Sequence, residues 1–175
     1  MSVLPVHVVP ADGGERLVAG PVVHRVLEDG SSTGGRLGLL EGRYPPGWTG
    51  PPPHVHREHE ETFYVLAGAV RFVSGAAEHV LTAGGLFTVP IGVPHGFGNA
   101  SADEPAQLLI TVTPQRYIGY FRDLQDLQPG PDGLLDPADI AALMARYATD
   151  PCPPRRVGDR DGGARPGGAG PRPAL

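Results

Sequence analysis

Gly47-Trp-Thr-Gly50-Pro-Pro-Pro-His54-Val-His56-Arg-Glu-His59-Glu-Glu61-Thr-Phe-Tyr-Val-Leu-Ala-Gly68 sets two histidines and a carboxylate among turn-forming glycines and prolines. Gly84-Gly-Leu-Phe-Thr-Val-Pro90-Ile-Gly92-Val-Pro-His95-Gly-Phe-Gly-Asn99 adds a third histidine in the same kind of setting. His54 and His56 are two apart, so on a strand both point to one face. Three prolines lead into them as a stiff extended segment. Glu61 stands five residues beyond His56, an odd offset, so the chain must turn or bulge through the polar residues 57–60 to bring it to the same side. From Glu61 the chain is rich in strand formers until Gly68, a turn signal. Pro90, Gly92 and Pro94 fix a tight turn just before His95. His54, His56, Glu61 and His95 can therefore offer three imidazoles and one carboxylate to a single divalent ion. That donor set suits Fe, Mn, Ni, Co, Zn or Cu.

The two stretches resemble the paired motifs of the cupin superfamily. The second follows the family pattern throughout, at Gly84, Pro90, Gly92, His95 and Asn99. The first follows it from His54 through His56 and Glu61 to Gly68, and departs only at its start: Gly50 stands too close to His54 and Gly47 one residue too far. The resemblance implies an all-β fold, a small antiparallel jelly-roll barrel, with one metal held by His54, His56, Glu61 and His95. Glu-Thr-Phe-Tyr-Val-Leu-Ala-Gly and the aromatic segment Tyr117-Ile-Gly-Tyr-Phe-Arg-Asp-Leu are similar to small bacterial quercetinase-type members of the superfamily. That similarity implies a dioxygenase acting on an enolic or phenolic small molecule, with dioxygen as second substrate and Glu61 doubling as a general base. Cupins also include cyclases, isomerases and non-catalytic binding proteins, so a non-oxidative metal enzyme and a small-molecule receptor stand beside the dioxygenase. The resemblance further implies a homodimer built through sheet edges, for which residues 3–9 offer a strand.

Composition fits this reading. A chain of 175 residues is expected to form one domain, here 1–149, with a proper core. Twenty-six glycines and 21 prolines suit many turns plus a disordered tail, expected over 150–175. The net charge of −5 implies no nucleic-acid surface. All 14 basic residues are arginine, which excludes a lysine Schiff base and a P-loop. No apolar run is long enough to span a membrane, no signal peptide is read at the N-terminus, and a cytoplasmic protein is expected. Cys152, the single cysteine, has no partner for an internal disulfide.

Short strands separated by turn signals are expected over 3–9, 17–28, 36–44, 60–67, 69–74, 77–82, 86–89, 95–98 and 106–113. The period then becomes helical. Tyr117, Tyr120, Phe121 and Leu124 share one face, and a second helix starts at Asp136 as N-cap with Pro137 behind it, burying Ile140, Leu143, Met144 and Tyr147. Both helices are expected to pack outside the barrel or to close one of its mouths. Phe63, Phe72, Phe87 and Phe97 are expected to fill the barrel and to line a substrate pocket. His59 is read as solvent-exposed in its turn, His7, His24 and His79 as structural, Asn99 as a turn-holding side chain, and Tyr44 and Trp48 as part of a packed loop or lid.

Overall fold

The computed structural model describes residues 5–152. In chain order it has β1 (Glu15–Ala19), β2 (Val22–Glu28), β3 (Gly38–Tyr44), β4 (His54–His56), β5 (Glu60–Ala67), β6 (Ala69–Ser74), β7 (Ala77–Thr82), β8 (Leu86–Val89), β9 (Gly96–Asn99) and β10 (Ala106–Thr113). Two helices follow, α1 (Ile118–Leu124) and α2 (Pro137–Arg146), and a last strand, β11 (Thr149–Pro151). One sheet runs β1-β2-β3-β10-β5-β8, a second runs β7-β6-β9, and β4 pairs with β11. Every pairing between these strands is antiparallel. This is the antiparallel jelly roll that the motifs implied.

The two-residue period carries the core. On β10, Ala106, Leu108, Ile110 and Val112 are buried while their neighbours are half-buried. Leu40 faces them from β3, and Phe63 and Val65 from β5. Each such aliphatic or aromatic side chain contributes about 1.5–3 kcal/mol by leaving water. Phe72 stacks on Phe87 with centroids 4.6 Å apart, and Phe63 lies 5.4 Å from Phe72, so aromatic rings fill the space between the two larger sheets.

The strand expected over 17–28 is a hairpin, because Gly20, at φ 56, and Pro21 turn the chain between β1 and β2. The strand expected over 3–9 is absent from its described part. Residues 5–9 pair with no neighbour, and Val6 and Val8 stand 90% and 78% exposed, so nothing rewards an extended ladder there. The boundary of the expected tail also moves. Thr149–Pro151 pairs with His54–His56, and Cys152 N–H donates to the Pro53 carbonyl at 2.7 Å. The rest of that tail, 153–175, lies outside the described residues.

Both helices form where their periodicity placed them. The Asp136 side chain accepts from Ala138 N–H at 2.7 Å, and Pro137 occupies the first turn. Tyr120, Phe121 and Leu124 of α1 and Leu143 and Met144 of α2 are buried, and together they close one mouth of the barrel. Ala148, at φ 50, then reverses the chain into β11.

The lead-in loop resolves the mismatch in the first motif. Gly50 has φ +90, and a Cβ there would run into the Phe97 carbonyl of β9. Gly47, at φ +69, faces open space. Gly50→Ala is expected to destabilise the fold by about 2–3 kcal/mol, since it adds left-handed strain to a backbone clash. Thermal unfolding should show a melting temperature lower by roughly 5–10 °C.

Candidate metal centre

β4, β5 and the turn before β9 each bring ligand side chains to one place. His54 and His95 exchange backbone hydrogen bonds, each N–H donating to the other's carbonyl at 2.9 Å. Gly92 N–H donates to the His56 carbonyl at 2.8 Å. The two motifs, some 40 residues apart in the chain, are thus tied together through the ligand residues' own backbone.

His54, His56, Glu61 and His95 are all buried, and the four ligand atoms lie within 4.8 Å of one another. His56 Nε2 is 2.9 Å and His95 Nε2 3.3 Å from the same Glu61 oxygen. The other ring nitrogens settle the tautomers. His54 Nδ1 lies 2.8 Å from the Pro52 carbonyl and His95 Nδ1 3.2 Å from the Val93 carbonyl. A carbonyl only accepts, so both Nδ1 atoms carry hydrogen. His56 Nδ1 lies 2.8 Å from Thr149 Oγ1, whose own hydrogen is directed to the Tyr147 carbonyl. It too must donate. All three Nε2 lone pairs are therefore left for the centre, opposite a carboxylate.

Lone pairs and a carboxylate oxygen do not converge at these distances with nothing positive between them. Either a proton on His56 or His95 Nε2 fills that place, or a cation does. Burial raises the Glu61 carboxyl, but hydrogen bonds from His56 and His95 outweigh it and hold the group well below the usual carboxylate range. Burial, with repulsion from His95 and His56, pushes His54 down to about 3. The donor set is thus three imidazole nitrogens and an ionised carboxylate. It fits a divalent ion of borderline character.

A cavity of about 450 Å³ adjoins this cluster, with His54 and Glu61 in its wall. Tyr44, Trp48 and Phe97 form one side; Tyr117, Tyr120, Phe121, Leu124, Ile140 and Met144 form the roof. Tyr44 stacks on Trp48 at 4.6 Å, and Tyr117 on Tyr120 at 4.5 Å. Among the described residues, no arginine lines it, and the chain has no lysine. Of the four phenylalanines expected at the pocket, Phe97 lines it. Phe63, Phe72 and Phe87 instead pack with one another in the hydrophobic core.

His59 is not solvent-exposed as its charged neighbours suggested. It is 3% exposed, lies face to face with Tyr117 at 4.3 Å and sits 3.9 Å from His56, with its Nε2 buried and unpartnered among the described residues. It falls outside the four-residue cluster. Asn99 holds its turn as expected: Nδ2 donates to the Pro45 and Glu104 carbonyls at 2.9 Å, and Oδ1 accepts from Ser101 N–H.

His24 is buried and lines the cavity. Burial pushes it down to about 4, against the opposing pull of Glu61. Above pH about 6.5 the imidazole is neutral in folded and unfolded chains alike. As pH falls further, the unfolded chain takes up a proton that the folded chain refuses until about pH 4. Stability is lost across that window, by roughly 3 kcal/mol from this residue. Thermal unfolding between pH 7 and 4.5 checks it, with the wild type losing stability more steeply than His24→Phe.

A family model described as a cupin domain matches residues 40–112, the span holding both motifs. Over that span the chain is similar to the cupin superfamily, and its antiparallel jelly roll agrees with the match. Among curated proteins, the chain is 27% identical over 124 residues to quercetin 2,3-dioxygenase of Bacillus subtilis, covering 71% of this chain and 36% of that protein. It therefore spans about a third of the length of that relative. Among solved structures, it is similar to a cupin-superfamily sugar phosphate isomerase from Silicibacter pomeroyi, with TM-score 0.52 and 25% identity over 60% of this chain and 74% of the other. It also shares the fold of an RmlC-like cupin from Shewanella frigidimarina, with TM-score 0.53 and 24% identity over 65% of this chain and 95% of the other. Among the described residues no helix is long and apolar enough to cross a membrane.

Proposed function

We propose that this chain is a metal-dependent dioxygenase acting on a neutral enolic or phenolic aromatic compound. One observation carries the reading: a single cavity joins the four-ligand cluster to an aromatic and aliphatic wall without a cationic side chain. A drug-sized ring system suits about 450 Å³ with so few polar groups. A sugar phosphate or a polycarboxylate would need cationic side chains beside the metal, which this wall lacks. The partial likeness to quercetin 2,3-dioxygenase supports the same substrate class.

His54, His56, Glu61 and His95 would hold the ion and leave one or two positions free for substrate oxygens. When bound, iron, nickel, manganese, copper or cobalt supplies a Lewis acid for the enolate and a route for its electrons to dioxygen. Glu61, in the cavity wall, would accept the hydroxyl proton as an enol docks. Tyr117 and Tyr120 present stacked ring faces to an aromatic substrate, and the roof of α1 and α2 excludes water around it. The homodimer belongs to this proposal. β1 is an edge strand with Val18 56% exposed, and sedimentation measures the state directly.

The test is oxygen consumption by protein reconstituted in turn with each of these ions, using 3-hydroxyflavone and quercetin as substrates. Uptake matched to loss of the flavonol absorbance, and absent without oxygen, supports the proposal. Conversion that proceeds equally without oxygen would instead mark a cyclase or isomerase, and binding without conversion a receptor.

A further inference from the structure

Apart from the metal cluster, two pairs of polar side chains are buried side by side in the cavity wall: Tyr117 with Tyr120 in the roof, and His24 with Tyr44 on the sheet. His24 on β2 and Tyr44 on β3 are 5% and 2% exposed, and both line the cavity. The pair stands on neighbouring strands of the larger sheet, whereas Glu61 stands on β5. His24 Nε2 is 3.5 Å from Tyr44 Oη, at the outer limit of a hydrogen bond. Among the described residues neither side chain has another hydrogen-bond partner. A pair that served only to satisfy itself would close to about 2.8 Å.

The fold concedes stability to keep this pair. Residue 42, within β3, is glycine, and a Cβ there would run into the Tyr44 hydroxyl. Glycine inside a strand weakens it by roughly 0.5–1 kcal/mol. The His24 ring also packs against Phe121, 4.8 Å away, where an apolar side chain would cost no desolvation.

We propose that His24 and Tyr44 form a second polar subsite that reads a neutral hydroxyl of the aromatic substrate, away from the oxygens that face the metal. This rests on the cavity being the substrate site. A ligand oxygen about 2.8 Å from both atoms donates to the imidazole nitrogen and accepts from the tyrosine hydroxyl. Both groups are uncharged, so the subsite favours a phenolic hydroxyl over a carboxylate or phosphate.

The test compares two flavonol probes under anaerobic conditions on metal-reconstituted protein. 3-Hydroxyflavone has only the chelating oxygens, and quercetin adds ring hydroxyls. The quantity read is the ratio of their dissociation constants in the wild type, Tyr44→Phe and His24→Phe. The wild type should prefer quercetin, and either variant should lower that preference about tenfold. Tyr44→Phe keeps the ring and its packing, so it carries the test should His24→Phe fail to fold. A ratio unchanged in Tyr44→Phe overturns the subsite while leaving the metal-cavity reading intact. Failure of both flavonols to bind the wild type overturns that reading, and the subsite with it.

Discussion

His95→Ala is expected to strip the protein of its divalent ion while leaving the barrel folded. The side chain supplies one of three Nε2 lone pairs, and it lies 3.3 Å from the carboxylate that shares the centre. The backbone at residue 95 does different work, exchanging hydrogen bonds with His54 that alanine retains. Loss of a ligand should lower affinity by more than the roughly 10–100-fold that follows from disturbing the groups behind the ligands. Equilibrium dialysis with cobalt or nickel, followed by elemental analysis, reads the effect. His59→Ala is the matched control. It removes a buried imidazole 3.9 Å from His56 that lies outside the cluster, and it should retain a stoichiometric ion. Retention of the ion by His95→Ala would show that the cluster is not the binding site.

Thr149→Val is expected to weaken metal binding by about 10–100-fold without touching a ligand. Thr149 is fully buried, and its hydroxyl accepts from His56 Nδ1 at 2.8 Å while donating to Tyr147. Valine fills the same space but leaves the His56 N–H without an acceptor in a dry site, which costs about 1–3 kcal/mol. It also frees the ring to carry its hydrogen on the nitrogen that faces the metal. Thr149→Ser should restore most of the affinity, because it restores the acceptor. A cobalt dissociation constant unchanged in Thr149→Val would show that β11 merely packs against β4. The backbone holds that strand firmly, with Arg57 N–H donating to the Ala148 carbonyl at 2.8 Å and the Arg57 guanidinium bonded to Asp150.

The convergence of His54, His56, Glu61 and His95 was legible because it follows from short-range rules: a two-residue period, one turn, and a proline-glycine corner before His95. The strands of the barrel were legible for the same reason, and so were α1 and α2. Thr149 was not. Its contact with His56 spans 93 residues, and it stands at the edge of a proline-rich stretch whose composition resembles a disordered tail. His59 misled because Arg57, Glu58 and Glu60 around it have the look of a solvated turn, whereas Tyr117, arriving from far along the chain, covers it. The phenylalanines misled differently. Alternation tells that Phe63, Phe72 and Phe97 point inward, but not whether inward means the solid core or the hollow part of the barrel. The departure at Gly47 and Gly50 was visible, but only the approach of Gly50 to Phe97 shows which glycine the fold requires.

The measurement that bears most directly on this account is the visible spectrum of the cobalt-substituted protein during anaerobic titration with 3-hydroxyflavone. If the metal centre and the aromatic cavity are one site, a single cobalt per chain should show d–d bands that shift as one equivalent of flavonol binds, with a matching shift in the flavonol's own absorbance. Both shifts should vanish in His95→Ala. Flavonol binding that leaves the cobalt bands unchanged, or stoichiometric cobalt with no flavonol binding, would contradict it.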